Sequence, residues 1–119
     1  MSVTAPTQIR VNRQSRTVEL TWPDGHQHEL SAEYLRVHSP SAEVRGHGRG
    51  EGALVQGKER VGITEVEPIG HYAVRLVFDD GHNSGIYTWA YLAELGEQRD
   101  ARWAVYLGRL EKAGISRVP

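Results

Sequence analysis

Six histidines, His26, His28, His38, His47, His71 and His82, are the residues best suited to acid–base or metal chemistry. Such chemistry needs partners at set spacings. No His-x-Asp/Glu pair with a distant His occurs, so the facial triad of non-haem iron oxygenases is absent, and there is no His-Glu-x-x-His helix. His26 and His28 share a strand face at i, i+2, where they could chelate a metal or simply flank a turn in solvent. Ser31, Ser39, Ser41 and Ser84 fall in turn or cap contexts, and no Gly-x-Ser-x-Gly elbow exists. Ser39 and Ser41 beside His38 and His47 make a poor triad, since a nucleophilic serine also requires an oxyanion hole. The glycine-rich run from Gly46 to Gly52 lacks a preceding buried strand, a Lys-Ser/Thr pair and a following helix, so it reads as a flexible loop and not a phosphate cradle. The absence of cysteine excludes disulfides, thiolate nucleophiles and thiolate metal sites.

The elements that must position these residues fit one domain of 119 residues with net charge -1. Residues 1–60 carry eight Lys/Arg and seven Asp/Glu, and residues 61–119 carry six and eight. With no basic stripe and a pI near 6.6, nucleic acid is not an expected partner. The longest apolar runs, Trp89 to Ala93 and Trp103 to Leu107, are far short of a membrane span, and the first residues lack an apolar leader core. A cytoplasmic location is the expectation.

Alternation predicts strands at Val18–Trp22 and Tyr72–Phe78, Ile9–Val11 reads as a short strand, and Val61, Ile63 and Val66 suggest another that ends near Pro68 and Gly70. Pro23-Asp24-Gly25 and Asp79-Asp80-Gly81 predict tight hairpin turns returning through His26–Leu30 and Gly85–Tyr87. Ser31 and Thr88 are candidate N-caps of short helices, the second ended by Gly96. Trp103, Tyr106, Leu107 and Leu110 form one stripe of a final amphipathic helix closed by Gly114. Residues 1–7 and 115–119 read as flexible ends. The chain also echoes itself. Leu20 to His26 resembles Leu76 to His82, and Ser31-Ala-Glu-Tyr34-Leu35 resembles Thr88-Trp-Ala-Tyr91-Leu92. Two copies are too few for a solenoid, so both units are read as one solution to a hairpin-to-helix packing problem. Of the aromatics at those corners, Trp22, Tyr34, Tyr87, Trp89 and Tyr91, most are expected in the core, with an exposed fraction available to a partner.

Leu20-Thr-Trp-Pro-Asp-Gly25, Tyr34-Leu-Arg-Val-His-Ser-Pro-Ser-Ala42 and Val74 through Trp89, with Asp80-Gly-His-x-x-Gly-Ile-Tyr-x-Trp89 the most specific stretch, resemble the gamma-butyrobetaine hydroxylase-like N-terminal domain. The resemblance covers about residues 8–96, most of the chain, with 97–114 as an added helix. Its small stand-alone bacterial members have no known function. Within the family, the resemblance implies, this domain precedes a separate 2-oxoglutarate/iron oxygenase domain or is fused to a Mrp-type P-loop ATPase. In the hydroxylases it holds zinc through three cysteines and a histidine. Those positions correspond here to Ser39, Ser41, Val44 and His82, so three of four ligands are replaced. A hydroxyl is a far poorer zinc ligand than a thiolate and valine offers no lone pair, so loss of the metal site is expected. A site rebuilt from His38, Glu43, His47 and His82 is the alternative.

These readings give an α+β domain: antiparallel β-hairpins packed with short helices and a C-terminal amphipathic helix. The expected function is that of a non-catalytic accessory domain without a cofactor. It would bind an unidentified protein, by family analogy an oxygenase or a Mrp-type ATPase, through Tyr34, Arg36, His38, His47, Tyr87 and Trp89. The alternative is a zinc- or iron-binding domain linked to iron or iron–sulfur chemistry.

Overall fold

The computed structural model describes residues 4–40 and 54–117. Alternating burial produces β1 (Gln8–Asn12), β2 (Thr17–Thr21) and β3 (Gln27–Ser31), an antiparallel sheet in the order β1-β2-β3. Helix α1 (Ala32–Val37) follows directly. The second half repeats the plan: β4 (Ile63–Ile69), β5 (Ala73–Phe78) and β6 (Ile86–Thr88) form a second antiparallel sheet in the order β4-β5-β6, followed by α2 (Trp89–Glu97). Helix α3 (Arg99–Lys112) closes the order. The chain is therefore α+β, as its patterning predicts.

The echo in the sequence is a duplication in the structure. In both tight turns a glycine takes a left-handed conformation, Gly25 at φ 93° and Gly81 at φ 92°. The Gly25 N–H donates to Trp22 O (2.8 Å) and the Gly81 N–H to Phe78 O (3.2 Å). Asp24 Oδ1 accepts the backbone N–H of His26 and Asp80 Oδ1 that of His82, both at 3.1 Å. Ser31 Oγ accepts the Tyr34 N–H (3.0 Å) and Thr88 Oγ1 the Tyr91 N–H (3.1 Å), so both caps act as expected.

The two sheets and their helices share one core. Val18, Leu20, Trp22 and Leu30 of the first half meet Val74, Leu76, Phe78 and Tyr87 of the second, with Leu35, Leu92 and Leu95 between them. Each such side chain contributes about 1.5–3 kcal/mol by burial. Tyr106 and Leu110 of α3 form a smaller cluster with Val37.

Two expectations need correction. Gly96 does not end its helix: α2 runs on to Glu97 and is capped at Gln98. Gly96 instead makes room for the His28 imidazole, which a Cβ there would strike. The final stripe is narrower than its spacing implies, for Tyr106 and Leu110 are buried while Leu107 is 39% exposed.

Candidate functional site

The chemistry-bearing residues gather where the end of α1 meets the second turn. His82 is buried, and its Nε2 lies 2.9 Å from Ser39 Oγ. The 80s turn places the imidazole: the Phe78 N–H donates to His82 O (2.9 Å) while Asp80 holds the His82 N–H. Ser39 arrives by way of α1, whose last turn continues through the Ser39 N–H to Arg36 O. Gly85 gives the serine its space, since a Cβ there would lie 2.5 Å from Ser39 Oγ. Two positions that the resemblance equates with zinc ligands are thus adjacent, although 43 residues apart in sequence.

The residues present do not fit that zinc site. A tetrahedral ion asks for donors about 2.0–2.3 Å away, deprotonated where they are not imidazole. Here a neutral hydroxyl and an imidazole bond each other. Among the described residues no group of three His, Cys, Asp or Glu is placed to hold a metal. Ser41, Glu43, Val44 and His47 lie outside the described residues. His38, the other member of the alternative set, directs Nδ1 to Tyr34 O (2.9 Å) and packs its ring on Tyr34, 4.6 Å between centroids. Burial, with the charges of Arg102 and Arg109, holds His38 below the ordinary histidine pKa despite the Tyr34 carbonyl. The first-turn pair is engaged as well: His26 Nδ1 bonds Asp24, and His28 Nδ1 accepts the Trp22 indole N–H at 2.9 Å.

Ser39 and His82 also have the spacing of a nucleophile and its base. Ser39 is 1% exposed and His82 7%, and the neighbouring carboxylate is committed elsewhere. Asp80 takes Lys58 Nζ at 2.7 Å and Arg36 Nε at 2.9 Å besides the His82 amide. Partial burial pushes its pKa up, but these donors outweigh it and hold the carboxyl at about 2.

The expected docking residues divide. Tyr34 (2% exposed) and Tyr87 (0%) are core side chains and offer a partner no surface. Their hydroxyls donate to Leu95 O (2.7 Å) and Leu35 O (2.5 Å). Trp89 is half-buried, its indole N–H on His71 O (2.8 Å), Arg36 pairs through Nε with Asp80 while its buried Nη1 has no hydrogen-bond partner among the described residues, and His38 reaches the surface in part. Sequence reasoning missed the reciprocity behind this. Tyr34 donates to Leu95 O, and Tyr91 donates to His38 O at 2.6 Å. Tyr91 and Leu95 each lie 57 positions after Tyr34 and His38, so each half ties the other by the same bond. Gly96 under His28 and Gly85 under Ser39 repeat the exchange. The matched offsets of the echo were the available clue.

Beside His38 opens a surface groove of about 270 Å³, lined by Val37, Val55, Val105, Tyr106, Arg102 and Arg109. Val105 is 59% exposed there. Tyr106 donates its hydroxyl to Val55 O (2.8 Å), which fixes the floor.

The sequence matches the family model described as gamma-butyrobetaine hydroxylase-like, N-terminal, over residues 9–93. No curated protein matches. Two solution NMR structures are similar, both with a TM-score of 0.85. One is 48% identical, covering 99% of this chain and 93% of that chain, and the other 45% identical, covering 99% and 88%. A crystal structure of a protein with unknown function from Acidithiobacillus ferrooxidans, of the DUF971 family, is 47% identical with a TM-score of 0.64, covering 76% and 91%.

Proposed function

This chain belongs to the gamma-butyrobetaine hydroxylase-like N-terminal family, and from that premise we propose that it is a non-catalytic accessory domain that docks on another protein. The observation that carries the reading is the groove beside α3. Val37, Val55 and Val105 line it together with Arg109 and with Arg102, which also pairs with Glu94, an arrangement that suits an apolar segment bearing an acidic side chain. The inward commitment of the corner supports it. The Tyr34, Tyr87 and Tyr91 hydroxyls and the Ser39–His82 pair are all bonded within the fold, so this corner serves as scaffold. Among the described residues no helix is long and apolar enough to cross a membrane.

The test places a photo-crosslinking residue at position 105 in the native host, identifies the adduct, and measures the purified partner against the intact domain. Val105→Glu sets a carboxylate in an exposed position and leaves the core alone. The expected result is a loss of about tenfold or more in affinity, the effect of removing one apolar anchor and adding a like charge. Equal affinity of the variant and the native chain overturns the docking face.

A further inference from the structure

In the first turn of α1, Glu33 presents a buried carboxylate with one hydrogen-bonded partner among the described residues, Arg117. Arg117 follows the last helix and is an exposed residue. Its guanidinium meets Glu33 in a fork, Nε to Oε2 at 3.0 Å and Nη2 to Oε1 at 2.5 Å. The Trp103 ring lies beneath, 5.2 Å from centroid to guanidinium carbon. A planar cation held edge-on by a carboxylate and face-on by an indole is an arrangement that favours a guanidinium over an ammonium, which cannot match the planar fork. The pocket around it, about 430 Å³, is bounded also by Thr17, Glu29 and Asp100.

The seat and its occupant come from different parts of the chain. Glu33 on α1 and Trp103 on α3 belong to the packed body, and Tyr34 braces the indole at 6.4 Å. Arg117 lies beyond Gly114, whose φ of 71° turns the chain out of α3, and its side chain stays 37% exposed while Glu33 is 7% exposed. The carboxylate and the indole are fixed on packed helices, whereas Arg117 lies on the segment that follows α3.

We propose that Glu33 and Trp103 form a guanidinium-recognition site, filled in cis by Arg117 and open to a guanidinium presented from outside when Arg117 withdraws. This reading is independent of the docking groove, because the two pockets share no lining residue.

The experiment titrates methylguanidinium and a blocked Gly-Arg-Gly peptide into three intact chains, following the Trp103 indole N–H by NMR. Arg117→Ala empties the site. Arg117→Lys keeps a cation on Glu33, and so keeps the site readable even where the alanine variant does not fold. Arg117→Ala with Glu33→Gln removes the receiving charge. The expected results are saturable shifts at Trp103 in Arg117→Ala, binding at least tenfold weaker in the native chain because its own arginine competes, intermediate binding in Arg117→Lys, and no shift in the double variant. Tighter binding of the peptide identifies a protein source, and equal binding a free guanidinium compound. No saturable shift in either single variant, equal response to methylammonium, or a shift surviving in the double variant overturns the site.

Discussion

Raising the pH tests how the tyrosines are held. Burial pushes the pKa of Tyr34 up to about 12 and that of Tyr106 up to about 12, the latter helped by Glu33 and Glu59, and pushes Tyr87 further still. All three are buried, and their hydroxyls donate to the backbone carbonyls of Leu95, Val55 and Leu35. A phenolate there would lose its donor proton and face a carbonyl oxygen. In the unfolded chain the same groups ionise near pH 10. Because the folded values are raised, the stabilisation is complete below pH 10 and is lost as pH climbs through 10 toward the folded values: the unfolded state releases protons that the folded state keeps. Each tyrosine then removes about 1 kcal/mol between pH 10 and 11, so the three together remove about 3 kcal/mol, a large part of a total near 5–15 kcal/mol. The assay is the urea midpoint by tryptophan fluorescence at pH 8, 10 and 11, for the native chain and for Tyr106→Phe. The variant loses about 1 kcal/mol at pH 8 with its bond to Val55 O, yet its fall between pH 10 and 11 is one third smaller. Other groups titrating in that range are common to both chains, so the difference isolates the phenol. An equally steep fall in native chain and variant refutes the assignment of alkaline instability to these hydroxyls.

At the acid end, Asp80 contributes stability that is present above pH 4 and is lost as pH falls toward its folded value of about 2; the contribution is about 2 kcal/mol, and Asp80→Asn should therefore flatten the urea midpoint between pH 4 and 2. Two glycines separate the steric from the conformational role. Gly96→Ala, which strikes the His28 ring, is expected to cost about 1–3 kcal/mol, whereas Gly108→Ala, with open space and a helical backbone, is expected to add up to about 1 kcal/mol, both read as shifts in melting temperature.

What was legible in the sequence was local. Pro23-Asp24-Gly25 and Asp79-Asp80-Gly81 announce their turns because the glycine conformation and the aspartate bond lie within four residues, and Ser31 and Thr88 announce their caps for the same reason. Gly96 misleads because glycine is a common helix terminator, while its use here depends on an imidazole 68 positions earlier. Tyr34 and Tyr87 look like docking aromatics beside polar turns; only the placement of Leu95 O and Leu35 O turns them into core residues. The replacement of thiolates by Ser39 anticipates a changed corner, but the direct bond from Ser39 to His82 requires two halves to meet. Arg117 has no recognisable setting until α1 and α3 bring Glu33 and Trp103 together.

The exchange of phenol bonds between the halves has a consequence for how the molecule opens. Helix α1 has six residues, too few to persist alone. The carbonyls at its end are closed by Tyr87 and Tyr91 from the far half, while α2 returns the debt through Leu95. Neither half can therefore melt first without stripping acceptors from the other. The barrier to opening belongs to both at once, and amide protons in α1 and α2 should exchange with deuterium together, at the rate of global unfolding.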